Sequence, residues 1–305
     1  AALVGQFLIL AALYLNLRAQ TKSRTFAWSL LLCSTALVHF YLLVMVASLW
    51  VSDLLDRTFR QKIQSLSSSL IQFLISLFCL LVVSWQAGYF IVGSSSLSAG
   101  EYAYGGMNLL GFFNPAGWSY LLKPIPGALR SLEGFNYLGL GTLICMGIAI
   151  YRWINKKLPT KSIFSNHLFL ILICGSLAIF SLSNEIGLGA RYFTFTPPTL
   201  LIYLGGILRS PGRMIWPAYY LLILFIFYLI NKGFSSRNSI AILACALAIQ
   251  IMDTSTGWLP ISNRLKSTNT VDIFHKDLAE LNDPFWTNAA TYYRAVVRLP
   301  IQPLT

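Results

Sequence analysis

Residues 68–92 read SSLIQFLISLFCLLVVSWQAGYFIV, without one Asp, Glu, Lys or Arg. The run is too long for a buried strand, and its apolar residues do not alternate with period two. A strand of a membrane barrel needs that alternation. A transmembrane helix needs about 20 mostly apolar residues to cross about 30 Å of hydrocarbon. The stretch therefore reads as a membrane helix, which satisfies all its backbone hydrogen bonds internally.

Working outward, the pattern repeats. Further apolar runs lie at roughly 2–17, 27–51, 135–151, 166–183, 214–231 and 239–252, so about seven spans are expected. Two long connections, 93–134 and 184–213, interrupt them. The expected fold class is all-α: a polytopic helical membrane protein with long outer loops. Residues 1–252 form its transmembrane region, and Asp253 is expected to end the seventh span. The segment 253–305 carries too many charges for a span and reads as the start of an extramembrane region, with a helix before the Asn282-Asp283-Pro284 turn. The chain opens on Ala1-Ala2-Leu3-Val4 inside an apolar run, with neither Met nor a basic leader, so earlier spans of a longer protein are expected before it.

Composition agrees. Hydrophobic residues make up 56% and charged residues 10%, with a mean hydropathy of +0.66. A soluble domain carries about 25% charged residues. These figures exclude disorder, collagen and coiled coil, and they argue against a soluble enzyme. The net charge of +12 would suit nucleic acid in a soluble chain. Here Lys and Arg cluster in short breaks between apolar runs, and no basic stripe is interleaved with exposed aromatics, so membrane lipids and no nucleic acid are the expected partners. The cysteines, Cys33, Cys79, Cys145, Cys174 and Cys245, all lie inside apolar runs without metal-ligand spacing, and they read as buried small residues.

The positive-inside rule sets an orientation. With 93–134 outside, the short breaks 52–65, 152–165 and 232–238 hold nine cations, against five in the two longer outer connections. One break dissents. Residues 18–25 hold Arg18, Lys22 and Arg24 and would lie outside. Either the break is an exception, or the second run is a re-entrant hairpin that does not cross.

The acids point to a site. Between Arg57 and Met252 the only ones are Glu101, Glu133 and Glu185, all in or beside the two outer connections. A carboxylate near hydrocarbon is costly, so it pairs or serves a site. Salt bridges to Arg130, Arg191, Arg209 or Arg213 would account for them equally well; three acids on one face beside these cations suggest a shared polar cavity. Tyr104 and neighbouring aromatics could stack on sugar faces or sit in the membrane interface, and Asn108, Asn114 and Asn136 offer amides suited to hydroxyl groups. Arg209 and Arg213 straddle a Pro-Gly turn before the sixth run, where guanidinium forks fit phosphate oxygens or anchor the loop. His39, beside Tyr41, stands amid hydrocarbon, usually a helix–helix hydrogen-bonding position.

Several of these segments carry a resemblance. Met107-Asn108-Leu109-Leu110, Asn114-Pro115, Gly117-Trp118-Ser119, the run Glu133 to Gly141, and Arg209 to Pro217 resemble a bacterial polytopic membrane-protein family of unassigned activity, itself similar to GT-C glycosyltransferases. The resemblance implies a multi-span enzyme of the bacterial inner membrane. It would transfer a sugar from a polyprenyl-phosphate donor to a glycan or lipid acceptor at the outer face. GT-C enzymes carry an acidic catalytic residue in a first large outer loop, which this chain does not include, so the catalytic residue stays unknown. The resemblance also implies donor binding by Arg209 and Arg213, with Glu133 and Asn136 in the matching loop motif. A divalent metal is compatible with GT-C chemistry, though no ligand set is visible in the sequence. Two other readings stand beside this one. They are a non-enzymatic lipid or polysaccharide transporter or flippase, which would show repeats and mid-membrane charges, and a membrane assembly subunit.

Overall fold

The computed structural model describes residues 3–18, 24–90, 105–129, 131–156, 158, 160–198, 208, 211–267 and 284–292. Glu101, Tyr104 and Arg209 lie outside the described residues. The chain divides into two compact units, residues 1–255 and 256–305.

The first unit is mostly helical. Its helices are α1 (Phe7–Leu17), α2 (Thr25–Val38), α3 (Phe40–Leu55), α4 (Leu66–Gln86), α5 (Leu140–Lys156), α6 (Lys161–Asn166), α7 (Leu168–Ser181) and α8 (Trp216–Gly233). It also holds most of α9 (Ser236–Ser267). Three helical stretches are long and apolar enough to cross a membrane: Leu66–Gln86, Pro211–Gly233 and Ser236–Asn263.

Helix α4 shows what solvent the surface expects. The Ser65 hydroxyl caps its start, accepting the Ser68 N–H at 3.3 Å. Its buried residues are Ser69, Gln72, Ser76 and Ser84, one stripe at helical spacing. Its exposed residues include Leu70, Ile71, Leu74, Phe78 and Trp85. A soluble helix buries its apolar stripe; this one buries small and polar residues, as helices do when they associate in lipid. Ser76 meets Ser29 of α2 at 3.0 Å.

The second apolar run is not one span. Extended backbone at His39 (φ −170°, ψ 134°) breaks it into α2 and α3. The imidazole Nδ1 accepts the Tyr41 N–H at 3.3 Å and so caps α3. The two helices form an antiparallel hairpin, because Trp28 near the start of α2 bonds Asp53 near the end of α3. Of the two explanations for the dissenting break, the hairpin is the one the chain adopts. Arg24 and Asp53 meet at 2.6 Å, so the break at 18–25 and the break at 52–65 share one end of the bundle. The hairpin tip stands at the opposite end, where Ala36 accepts the Tyr89 hydroxyl at 2.8 Å.

The remaining helices run between the same two ends. At the Arg24 end, Arg60 reaches Ser165, Asp56 reaches the start of α7, and Arg152 of α5 bonds the Gly233 carbonyl at the end of α8. At the other end lie the connections that surround the candidate site. The main core packs α1, α2, α3 and α7 around Trp28, Leu32, Leu42, Met45, Leu49 and Leu170.

Two further expectations need correction. The fold is not purely α: Glu185–Leu188 (β1) and Arg191–Thr194 (β2) pair antiparallel, with Glu185 opposite Thr194 and Leu188 opposite Arg191. Four-residue strands are too short to show a period. Nor does Asp253 end the seventh run, because α9 continues to Ser267 with Pro260 inside it. In the second unit the described residues comprise the end of α9 and α10 (Pro284–Tyr292). The segment before the Asn282-Asp283-Pro284 turn, where a helix was expected, lies outside the described residues.

Candidate functional site

Three distant segments meet at the hairpin-tip end through their backbones. The Gly212 N–H donates to the Gly105 carbonyl at 2.9 Å. A Cβ on Gly212 would stand 2.6 Å from that oxygen and 2.8 Å from the Glu133 carbonyl oxygen; one on Gly134 would stand 2.7 Å from the Gly106 carbonyl oxygen. Only glycine permits backbones this close. The knot lays residues 105–106, 133–134 and 211–213 against one another.

The knot fixes an ion pair. Arg213 Nη2 donates to Glu133 Oε1 at 2.6 Å, and its Nε contacts Oε2 of the same carboxylate. This is the two-pronged geometry that a guanidinium forms with a planar acid. Both side chains remain partly open, at 22% and 29% exposure. The Ser131 hydroxyl accepts the Glu133 N–H at 3.2 Å and shapes the 3₁₀ turn Leu132–Gly134 that presents the acid. The guanidinium also lies 5.8 Å from the centroid of the Tyr41 ring, and Tyr41 stacks on His39 at 4.9 Å. His39, Tyr41, Glu133 and Arg213, singled out separately in the sequence, therefore stand together.

The other candidates are distributed differently. Asn108 is buried and spends its amide inside the lobe: Nδ2 donates to Gly189 O at 2.9 Å, and Oδ1 accepts from Leu110 N and Gly189 N. Asn114 Oδ1 accepts from Ala116 N and Ile125 N, and Asn136 donates to Gly134 O. These amides shape turns. Glu185 opens β1 and, with Asn108 and Tyr192, lines a cavity of about 10 Å³, room for about one water. Arg191 is exposed on β2. The expected shared cavity is thus divided among the described acids: Glu133 pairs with Arg213, and Glu185 lines a pocket on another face of the knot.

Sequence reasoning passed over Asp253. It is 4% exposed and holds the connection onto α9. Its Oδ1 accepts from Ser119 Oγ at 2.6 Å and from the Tyr120 and Leu121 N–H groups, and its Oδ2 accepts from Tyr137 at 3.1 Å. Burial pushes the Tyr137 hydroxyl up to about 12, with the neighbouring carboxylate adding to the rise. No sequence signal links Asp253 to residues more than a hundred positions away. Among the described residues no three His, Cys, Asp or Glu side chains gather in a way that could hold a metal ion. A cation beside a carboxylate and an aromatic face suits an anionic ligand instead.

With the geometry in place, comparison places the chain in a family. A model described as a domain of unknown function, DUF6311, matches residues 1–255. The chain belongs to the DUF6311 family. The match ends where the first compact unit ends. Neither the curated proteins nor the solved structures gave a match.

Proposed function

We propose that the protein is a GT-C-like glycosyltransferase of the bacterial inner membrane. In this reading it crosses the membrane several times and transfers a sugar from a polyprenyl-phosphate donor to a glycan or lipid acceptor at the outer face. The observation that carries the reading is Arg213, held by Glu133 and half open beside Tyr41 and His39 at one end of an apolar bundle. A lipid-linked phosphate travels at that boundary, with its chain among the helices and its charge at their ends.

In this proposal Arg213 binds the donor phosphate through a guanidinium N–H that Glu133 leaves open. Glu133 sets the orientation of the fork, and Tyr41 supplies an aromatic face beside it. The described donor set does not fit a resident divalent metal, so no step is assigned to one. The test is transfer of labelled sugar from a panel of polyprenyl-phosphate donors by the full-length protein in liposomes. Transfer that falls at least tenfold in Arg213→Ala supports the reading. No transfer with any donor, or donor movement across the bilayer without transfer, overturns it.

A further inference from the structure

Around the Asp253 clamp, the buried acid and the exposed apolar groups it holds stand in an unusual relation. Tyr120 is 66% exposed and Leu121 is 74% exposed, followed by exposed Lys123. Yet the backbone N–H groups of Tyr120 and Leu121 both point to the carboxylate of Asp253. Ser119 secures the same turn twice, donating to Asp253 and accepting the Leu122 N–H at 2.9 Å. The segment is therefore docked firmly on α9 while its apolar side chains face outward. An ordinary surface turn in water would gain nothing from holding a tyrosine and a leucine this way.

Helix α9 provides a ruler for what lies outside. Asp253 stands seventeen residues beyond Ser236, where the helix begins. At 1.5 Å per residue that is about 26 Å along the axis. The hydrocarbon core is about 30 Å thick. If α9 crosses from the Ser236 end, the clamp lies close to the far boundary of the hydrocarbon. The helix face there is lipid-facing, with Leu247, Ile251 and Met252 exposed at 60%, 51% and 70%. The docked turn continues this apolar surface. Its order of groups, an aromatic, then leucines, then a lysine, is what an interfacial anchor needs. Tyrosine favours the headgroup level, the leucines enter the acyl boundary, and the lysine extends its amine toward phosphates.

We propose that Tyr120, Leu121 and Lys123 form an interfacial anchor that inserts into the phospholipid surface at the hairpin-tip end, and that Asp253 holds the anchor at its depth. A buried carboxylate with hydroxyl and N–H donors suits this task, since it organises a turn without presenting charge to lipid. The anchor ties the connection that carries Glu133 to the membrane plane. The inference does not depend on sugar transfer.

Spin labels test it. A cysteine-free version of the full chain carries a single label at Leu121→Cys, Ile251→Cys or Phe193→Cys, in phosphatidylcholine–phosphatidylglycerol vesicles. Position 251 serves as the lipid-facing reference on α9, and position 193, exposed on β2, reports the lobe. The label at 121 is expected to match that at 251, accessible to oxygen and shielded from a water-soluble nickel chelate. Greater accessibility to nickel than to oxygen at 121 overturns the anchor. Adding Asp253→Asn weakens the clamp and is expected to raise nickel accessibility at 121 while leaving 251 unchanged. An unchanged label at 121 in that variant overturns the role of Asp253. A change at 251 as well means that α9 itself has moved, and that outcome also removes the clamp from the proposal.

Discussion

The two ends of the helical bundle use the same charged residue types for opposite ends. At one end, Asp53 lies between Arg24 at 2.6 Å and Arg57 at 3.6 Å, and it also accepts the Trp28 indole N–H at 2.8 Å. Each of the three ionic side chains is at most 5% exposed. Arg24 further caps the carbonyls of Leu15 and Arg18, which closes the end of α1. Asp56, equally buried, accepts the Phe169 and Leu170 N–H groups at the start of α7. At the other end, Arg213 and Glu133 make one pair and stay open. The difference is in saturation. In the closed cluster the carboxylates take up the donors and the helices lock together. The open pair leaves a guanidinium edge toward its surroundings, which is what a binding group requires.

The closed end should show the largest effect. Asp53→Ala leaves Arg24 and Arg57 buried without their acid and is expected to cost about 3–5 kcal/mol. Thermal unfolding in detergent measures it, and a loss below about 1 kcal/mol would mean water reaches this end. Asp56→Ala comes next, at about 1–3 kcal/mol for the two N–H groups it strands. Burial raises the Asp56 carboxyl above its usual range, while the two N–H bonds pull it back. A raised carboxyl contributes stability below its unfolded value that is lost as pH rises through the folded one. The Asp56→Ala penalty should therefore not deepen between mildly acidic and neutral pH. A penalty that grows steadily over that interval would show that the N–H bonds outweigh burial.

At the open end the order of effects reverses. Arg213→Ala should change stability by no more than about 1 kcal/mol, because the pair is partly exposed. Donor affinity should fall about tenfold to a hundredfold, the equivalent of one charge-assisted hydrogen bond. Arg213→Lys should recover only part of it, since lysine keeps the charge but loses the fork. Full recovery would make Arg213 a simple loop anchor.

The smallest expected effect sits between these extremes. Tyr137→Phe removes one bond to Asp253 and should cost about 1 kcal/mol. The Tyr137 hydroxyl is raised to about 12, so the stability it contributes is complete below the ordinary tyrosine value near 10. That stability fades as pH climbs toward about 12. Wild type and Tyr137→Phe should therefore converge in melting temperature across that alkaline interval. Parallel curves would place the hydroxyl in water.

Much of this was legible in the chain. Long uncharged runs such as 68–92 demand helices, because lipid offers backbone groups no partner. Arg213, Glu133, His39 and Tyr41 stood out because charged or polar groups are rare among such runs. Other features were hidden. Asn108, Asn114 and Asn136 looked like hydroxyl-binding amides, but an amide serves a turn with the same atoms, and only the fold shows which partner is near.

The sequence by itself determined the helical class, because hydrophobic length is a one-dimensional property that each segment carries alone. It also determined which residues were chemically expensive enough to need a reason. The tertiary structure decided what those reasons were. A single extended residue, His39, turned one apparent span into a hairpin and brought Arg24 beside Asp53. Three glycine-permitted backbone contacts brought Glu133 to Arg213 across eighty residues. Asp253 drew a loop more than a hundred residues away onto its helix. Pairing energies depend on distance and burial, and neither exists until the chain has folded.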